Sequence, residues 1–322
     1  MGEFPRTVTA REVRDSLLLF LQGLDSVRDP SAFADWVKSR FDFYSSSAAR
    51  DKVLFTGYYR PVVQASLTEN QRFRFPIYGK PKDLIEAELV TLFPERHVGE
   101  VVGRVEKDQW LPYFSRAEID RDGRLKGRGD EIAWLDDPVE VFFLHVQGSG
   151  VLRLDNGHAV SVGFAASNGR PYRSIGKILV DQGELPMEEV TMQRLKRYLN
   201  DYPEKRDALL NQNERYIFFR IHKEGALGSL DVPLTPGRSI ATDARLFPQG
   251  ALAFIDTQEP VFDRKGNHKG WKPLRRFVLN QDRGAAIRGA ARVDFYFGTG
   301  VRAGWSAGIM NRPGNLFFLI KK

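Results

Sequence analysis

Asn280-Gln-Asp-Arg-Gly-Ala-Ala-Ile-Arg-Gly289, followed closely by Arg292-Val-Asp-Phe-Tyr-Phe-Gly298, sets two carboxylates among apolar residues. Asp282 follows the run Phe277-Val278-Leu279 and opens a glycine-bearing turn. Asp294 lies inside a second apolar run, residues 293–297, which reads as a strand. An acid flanked by valine and phenylalanine is either buried with a partner or held at the mouth of a cleft, and desolvation there raises a carboxyl pKa. A carboxyl that stays protonated near neutral pH can act as a general acid. The same residues also fit a strand acid facing solvent or one capping a turn, since perturbed carboxylates mark sites only as a tendency.

Outward from this pair the pattern repeats. Residues 231–238, 251–256, 276–282, 292–298 and 316–320 read as short strands punctuated by Gly and Pro, which predicts a small closed barrel. Upstream, residues 62–223 are mostly strand with one helical interlude. Residues 83–90 fit strand or helix and are read as strand. Residues 139–148 are almost continuously apolar and read as a strand buried on both faces. Asp155-Asn-Gly157 is a hairpin turn with its return strand at 158–164. Ser174 caps a short helix closed by Gly183, a further helix is predicted over 186–200, and 216–222 reads as a strand. At the N-terminus, Thr9 and Glu12 form a capping box for a helix over 9–27, with Val13, Leu17, Phe20, Leu21 and Leu24 on one face. Asp29-Pro30 opens a second helix with Phe33, Trp36, Val37 and Phe41 as its apolar positions.

The 322 residues, 42% of them hydrophobic, suffice for a large core and suggest about two domains. No apolar run approaches the roughly 20 residues needed to cross a bilayer, and Met1-Gly-Glu-Phe-Pro-Arg-Thr7 does not read as a signal peptide. The absence of cysteine excludes disulfides, thiolate nucleophiles and thiolate metal sites. A net charge of +7 favours an anionic partner. The cations are dispersed, however. Their densest cluster, Lys272-Pro-Leu-Arg-Arg276, is short, and no aromatic motif of an RNA-binding sheet occurs, so nucleic acid is not the expected partner.

Thr56, Tyr58 and Tyr59 place hydroxyls and rings around Gly57, an arrangement suited either to sugar contacts or to a strand pair with one ring buried. Gln147 and Ser149 are polar groups at the end of the buried segment, where hydrogen-bonding demand is high. Other patterns carry little. Ser174-Ile-Gly-Lys177 matches S-x-x-K without its companion strings, and Gly298-Thr-Gly300 with Gly304 lacks the spacing and Lys-Ser/Thr of a nucleotide loop. The histidines at 97, 145, 158, 222 and 268 show no i, i+4 pairing; no metal site and no cofactor are indicated.

Several strings taken in order resemble the membrane-bound lytic murein transglycosylase A family. They are Thr56-Gly-Tyr-Tyr59, Phe142-Phe-Leu-His-Val-Gln-Gly-Ser-Gly150, Asn168-Gly-Arg-Pro-Tyr-Arg-Ser-Ile-Gly176, Tyr216-Ile-Phe-Phe219, Val232-Pro-Leu-Thr-Pro-Gly-Arg-Ser239, Asp282-Arg-Gly-Ala-Ala-Ile-Arg-Gly289, Asp294-Phe-Tyr-Phe-Gly-Thr-Gly300 and Ala303-Gly304. The resemblance implies a mainly β fold with some α: a double-psi β-barrel domain from residues 1–61 and 224–322, an inserted β-rich substrate-binding domain over 62–223, and a groove between them. It implies cleavage of the β-1,4 bond between N-acetylmuramic acid and N-acetylglucosamine, leaving 1,6-anhydro ends, without a metal. Asp294 matches the single catalytic acid, with Asp282 and Asp243 as supporting aspartates. Thr56, Tyr58, Tyr59, Gln147, Ser149, Tyr172 and Arg238 are candidates for sugar contacts. The turn after Asp282 departs from the family's usual pattern: Ala285 stands where glycine is usual, and Arg283 adds a cation.

Ordinary glycosidases need two carboxylates because a nucleophile or activated water attacks the far face. A lytic transglycosylase uses the substrate's own C6 hydroxyl, so one group can serve as acid and then base. The expected partner is therefore the glycan strand of peptidoglycan, in the periplasm and associated with the outer membrane. The chain is expected to be a monomer that meets the membrane only through a lipid anchor, whose cysteine this sequence lacks. A non-catalytic wall-binding barrel, a two-carboxylate hydrolase and a nucleic-acid binder are the alternatives.

Overall fold

The computed structural model describes residues 2–3, 7–45, 52–88, 100–222, 225–284 and 286–322. His97, Ala285 and residues 89–90 of the segment read as strand lie outside these residues. The chain divides into two compact units, Met1–Tyr59 with Gly225–Lys322, and Arg60–Glu224. In chain order the first unit begins with β1 (Gly2–Glu3), α1 (Ala10–Ser26), α2 (Pro30–Arg40), β2 (Phe41–Ser45) and β3 (Val53–Arg60). The second unit follows with β4 (Val62–Ser66), β5 (Phe75–Tyr78), β6 (Ile85–Glu88), β7 (Glu100–Glu106), β8 (Gln109–Pro112) and β9 (Glu131–Leu135). It continues through α3 (Pro138–Gln147), β10 (Gly150–Leu154), β11 (Ala159–Ser167), α4 (Ile175–Asp181), α5 (Met192–Asp201), α6 (Pro203–Asn211) and β12 (Ile217–His222). The chain then returns to the first unit with β13 (Ser239–Ala241), β14 (Leu252–Phe262), β15 (His268–Asp282), β16 (Arg292–Thr299), α7 (Val301–Ile309) and β17 (Asn311–Lys321).

The first unit is built on a closed ring. β17, β14, β15, β13, β16 and β3 neighbour one another in that order, and β3 pairs back onto β17. This is the small closed barrel expected from the short strands, here built of six. β13 runs parallel to β15 and antiparallel to β16. Alternate residues fill the interior, among them Phe55, Ile255, Val278, Val293, Phe295 and Phe318. Each such side chain contributes about 1.5–3 kcal/mol on burial.

The N-terminal helices cover the outside of the ring. Phe20, Val37 and Phe41 pack with Leu252 and Leu319. The Thr9–Glu12 capping box is present, and Asp29 caps α2. The buried stripe of α1 is rotated from the expected one: Ser16, Phe20 and Gly23 are buried, whereas Leu21 and Leu24 are exposed. Two contacts explain this. The Ser16 hydroxyl accepts a hydrogen bond from the Lys321 amide at 2.9 Å, and Gly23 lets the Trp36 ring lie against the helix.

In the second unit, β12, β11, β10, β4, β9 and β5 form one sheet and β6, β7 and β8 another. Residues 139–148, expected as a strand, are instead the helix α3. Asp137 accepts from the Val139 amide, Pro138 occupies the first turn, and Gly148 ends the helix at φ 72°. The run is apolar all round because α3 is buried on two sides. Val141 and Leu144 pack on the sheet residues, while Val139, Phe142 and Phe143 pack on α4, α5 and α6. The helix expected over 186–200 begins later, with a 3₁₀ turn at Met187–Glu189 and α5 capped by Thr191. Residues 231–238 are not a strand. Their ladder is one bridge, Leu227 to Pro233, and β13 starts only at Ser239.

Gly57 permits a close approach of β3 to its neighbours. A methyl group there would lie 2.6 Å from the Phe297 ring and 2.9 Å from Cα of Ala307 on α7. Gly57→Ala is therefore expected to cost about 1–3 kcal/mol, read as a lowered thermal midpoint. Gly79→Ala, where the nearest atom would be 3.4 Å away, is the matched control and should stay close to wild type.

Candidate active site on the barrel wall

Strand alternation assembles this site. On β3, Val53 and Phe55 point into the core, so Thr56 and Tyr58 share the opposite face. On β16, Val293 and Phe295 point inward, so Arg292, Asp294 and Tyr296 share the other side. Between β16 and β15 runs β13, whose Ala241 is the register partner of Asp294 on one side and of Asp282 on the other. The two carboxylates thus stand on backbones two strand spacings apart, roughly 9–10 Å, with only a methyl group between them.

Their partners differ. The Thr56 hydroxyl donates to Oδ1 of Asp294 at 2.8 Å. Asp282 accepts three bonds: from the Tyr58 hydroxyl at 3.0 Å, the Ser229 amide at 3.0 Å and the Arg283 amide at 2.9 Å. Burial pushes Asp294 up to about 6; the Thr56 hydroxyl and the Arg292 charge oppose the rise, and Asp282 adds to it. Burial likewise raises Asp282 to about 6 against its three donors. Burial, reinforced by both carboxylates, holds the Tyr58 hydroxyl well above its usual range, so Tyr58 stays a donor. Its ring lies 5.1 Å from that of Tyr296.

Asp243 is a carboxylate of another kind. It is buried, takes both Nε and Nη2 of Arg245 at 2.9 and 2.6 Å, and accepts from the Gly289 amide at 2.9 Å. The Arg245 hydrogen bonds hold it far below the usual carboxylate range, so it is ionised. It ties the turn after β13 to the loop before β16, which fixes where Asp294 enters the wall.

The other predicted residues are placed as follows. Tyr59, on the opposite face of β3 from Tyr58, is buried with its ring against Gly304, so it packs instead of offering an open face. Arg238 donates to the Phe277 carbonyl at 2.9 Å and is exposed. Gln147, Ser149 and Tyr172 belong to the second unit, Gln147 at the end of α3 and Tyr172 exposed. Ser229, Ala241, Tyr296 and Arg292 were not singled out from the sequence. Alternation along β16 places Arg292 and Tyr296 beside Asp294; no local signal announces the Ser229 amide.

The fold is a closed six-stranded barrel interrupted by a β-rich insert, and its wall carries two aspartates that burial raises to about 6. Comparisons with known proteins add to this. Residues 54–220 match the model of the MltA specific insert domain, and residues 238–320 match the 3D domain. Membrane-bound lytic murein transglycosylase A of Escherichia coli K12 is 34% identical over 270 residues, covering 83% of this chain and 65% of that protein. The Vibrio cholerae protein of the same name is 29% identical over 271 residues, with the same coverage of each chain. Among solved structures, the membrane-bound lytic murein transglycosylase of Agrobacterium tumefaciens has a TM-score of 0.82 at 29% identity, over 99% of this chain and 87% of that one. E. coli MltA with bound chitohexaose has a TM-score of 0.72 at 28% identity, over 97% and 83%. The chain belongs to the membrane-bound lytic murein transglycosylase A family. It spans 65% of the length of these curated relatives.

The contrast between the aspartates gives two measurable consequences. Asp243 is stabilising as a carboxylate, so its contribution is present above the ordinary value of 3.8 and is lost as pH falls. Asp243→Ala is expected to cost about 1–3 kcal/mol near neutral pH, and an unchanged thermal midpoint there would show that the brace carries no load. Asp294 has the opposite sign. Its folded-state value is raised, so its contribution is complete below 3.8 and is lost as pH rises through about 6. Asp294→Asn is expected to raise stability by about 1–3 kcal/mol at pH values well above 6, with no gain near pH 4. Thermal melts across that range test it.

Proposed function

We propose that this chain is a lytic transglycosylase that cleaves the β-1,4 bond between N-acetylmuramic acid and N-acetylglucosamine in peptidoglycan, with Asp294 as its catalytic acid and base. The observation that carries the reading is the Asp294 carboxyl: desolvated, raised to about 6, held by a neutral hydroxyl and, among the described residues, joined to no ion pair that would strip its proton. Such a group can donate near neutral pH and, once ionised, accept again.

The chemistry follows from that property. Asp294 protonates the glycosidic oxygen as the C1–O bond breaks, and the N-acetylglucosamine end leaves as an alcohol. The C6 hydroxyl oxygen of the same muramic acid residue then bonds to C1, and its proton passes to the Asp294 carboxylate. The acid is regenerated and a 1,6-anhydro ring closes. Intramolecular attack takes the place of a second carboxylate. The Thr56 hydroxyl fixes Oδ1 of Asp294, leaving the second oxygen for the substrate. Asp282, locked by Tyr58, Ser229 and Arg283, adds negative charge beside Asp294 and so helps to keep it protonated. Asp243 braces the loop that feeds Asp294 into the wall. Tyr58 and Arg238, with Gln147, Ser149 and Tyr172 of the second unit, are the proposed glycan contacts. The names of the relatives support a place in the cell envelope. Within it we assign the periplasm, with association to the outer membrane through a lipid anchor, and a monomeric state.

Mass analysis of products from purified sacculi tests the reading. The expected products are muropeptides lighter by one water than hydrolysed ones, with ends that borohydride cannot reduce. Asp294→Asn should lose activity by about 100-fold to 10,000-fold, and kcat/KM of the wild type should fall as pH rises above about 6. Reducible ends would indicate hydrolysis through both aspartates, and bound but uncut glycan would indicate a wall-binding protein.

A further inference from the structure

Arg292 is a cation of the barrel wall whose charge tempers the rise in Asp294. It sits two residues before Asp294 on the same face of β16. Its side chain is partly buried, and Nε is out of contact with water and has no hydrogen-bond partner. Among the described residues no ion pair joins it to Asp294 or to any other acid. A guanidinium nitrogen withdrawn from water without a partner is costly, and such a position persists where something else supplies an acceptor. Asp294 is the nearest candidate, yet its carboxyl is held by Thr56 instead. A salt bridge would fix Asp294 as a carboxylate and remove the proton it must donate. The fork of Arg292 is thereby left for a ligand, beside the atom where cleavage is proposed to occur.

We infer that Arg292 reads a carboxylate on the substrate, the acidic substituent carried by muramic acid, and so selects murein over unsubstituted glycans of the chitin type. The inference rests on the proposed function. Its chemistry is that of planar, two-pronged recognition, which arginine supplies and lysine reproduces only in part. Two carboxylate sources lie within one murein strand: the lactyl group itself when no peptide is attached, and the stem peptide when one is. Neutral N-acetylglucosamine oligomers carry neither. Exposed Arg283 and Arg288 on the preceding turn add positive potential around the same spot.

Calorimetric binding separates this from other roles. The full chain carrying Asp294→Asn, whose turnover is slowed enough for binding to be read, is compared with the same chain carrying Arg292→Gln or Arg292→Lys in addition. The ligands are peptide-free murein strands, peptide-bearing murein strands and chitohexaose. The parent is expected to bind an acidic strand about tenfold or more tightly than chitohexaose. Arg292→Gln should abolish that advantage while chitohexaose binds within about twofold of the parent, which also reports an intact fold; Arg292→Lys should restore part of it. An advantage kept by peptide-free strands assigns the lactyl carboxylate, and one kept only by peptide-bearing strands assigns the peptide. Equal weakening of all three ligands, or no weakening of either acidic one, overturns the inference. Because the readout is binding, its failure is distinct from a failure to form anhydro ends.

Discussion

The site depends on desolvation of one carboxyl in the barrel wall and on the lack of an ion pair that would ionise it. Among the described residues Asp294 has no ion pair, and the Arg292 charge only tempers the rise that desolvation causes. Its strand neighbours Val293 and Phe295 are part of the barrel core, and its bound partner is a threonine hydroxyl. Desolvation then dominates, and the proton stays on until about pH 6. The neighbouring Asp243 shows what happens otherwise. It is at least as buried, but an arginine fork and a backbone amide make it a permanent anion. Burial alone therefore does not keep a carboxyl protonated; the identity of the donors decides.

Closure of the ring is what brings the required groups together. β3 comes from the start of the chain and β16 from near its end, yet they lie side by side because β3 also zips onto β17. Thr56 and Asp294 are 238 positions apart in sequence and 2.8 Å apart in space. The parallel pairing of β13 with β15, with its register shift at Ala241, places Asp282 level with Asp294 across one strand. The small Ala241 leaves room between the two acids, where a larger side chain would fill the gap. Gly57 serves the same geometry from the other side, letting β3 lie directly against Phe297 and α7 so that Thr56 and Tyr58 reach the face that Asp294 occupies.

Much of this was legible in the sequence where the signal is local. The capping box at Thr9, the Asp29-Pro30 helix start and the Asp155-Asn-Gly157 turn depend on a few adjacent residues and appear where expected. The barrel was visible as a series of short strands, although β14 and β15 extend well beyond the segments read. Residues 139–148 were misread because periodicity carries no information when an element is buried all round. The deciding signals were at the ends, in Asp137-Pro138 and Gly148. The helix α7 was not read from the sequence, where Gly300 and Gly304 break any helical pattern; Gly304 is where the Tyr59 ring packs. The same contact turns Tyr59 from an expected sugar platform into a core residue.

The two aspartates also show why this wall cannot be optimised for stability alone. A carboxyl raised to about 6 opposes folding above that pH, and Asp282 adds to the rise in Asp294. The fold offsets them with ordinary means: three donors on Asp282, a closed hydrophobic interior, and the ionised Asp243 brace. The donors on Asp282 do not reach Asp294, which keeps a single hydroxyl. A site that satisfied Asp294 as fully as Asp243 would be more stable and would hold no proton to give. On the proposed function, activity and stability draw on the same hydrogen bonds in opposite directions, as expected where a polar group is left under-satisfied for chemistry.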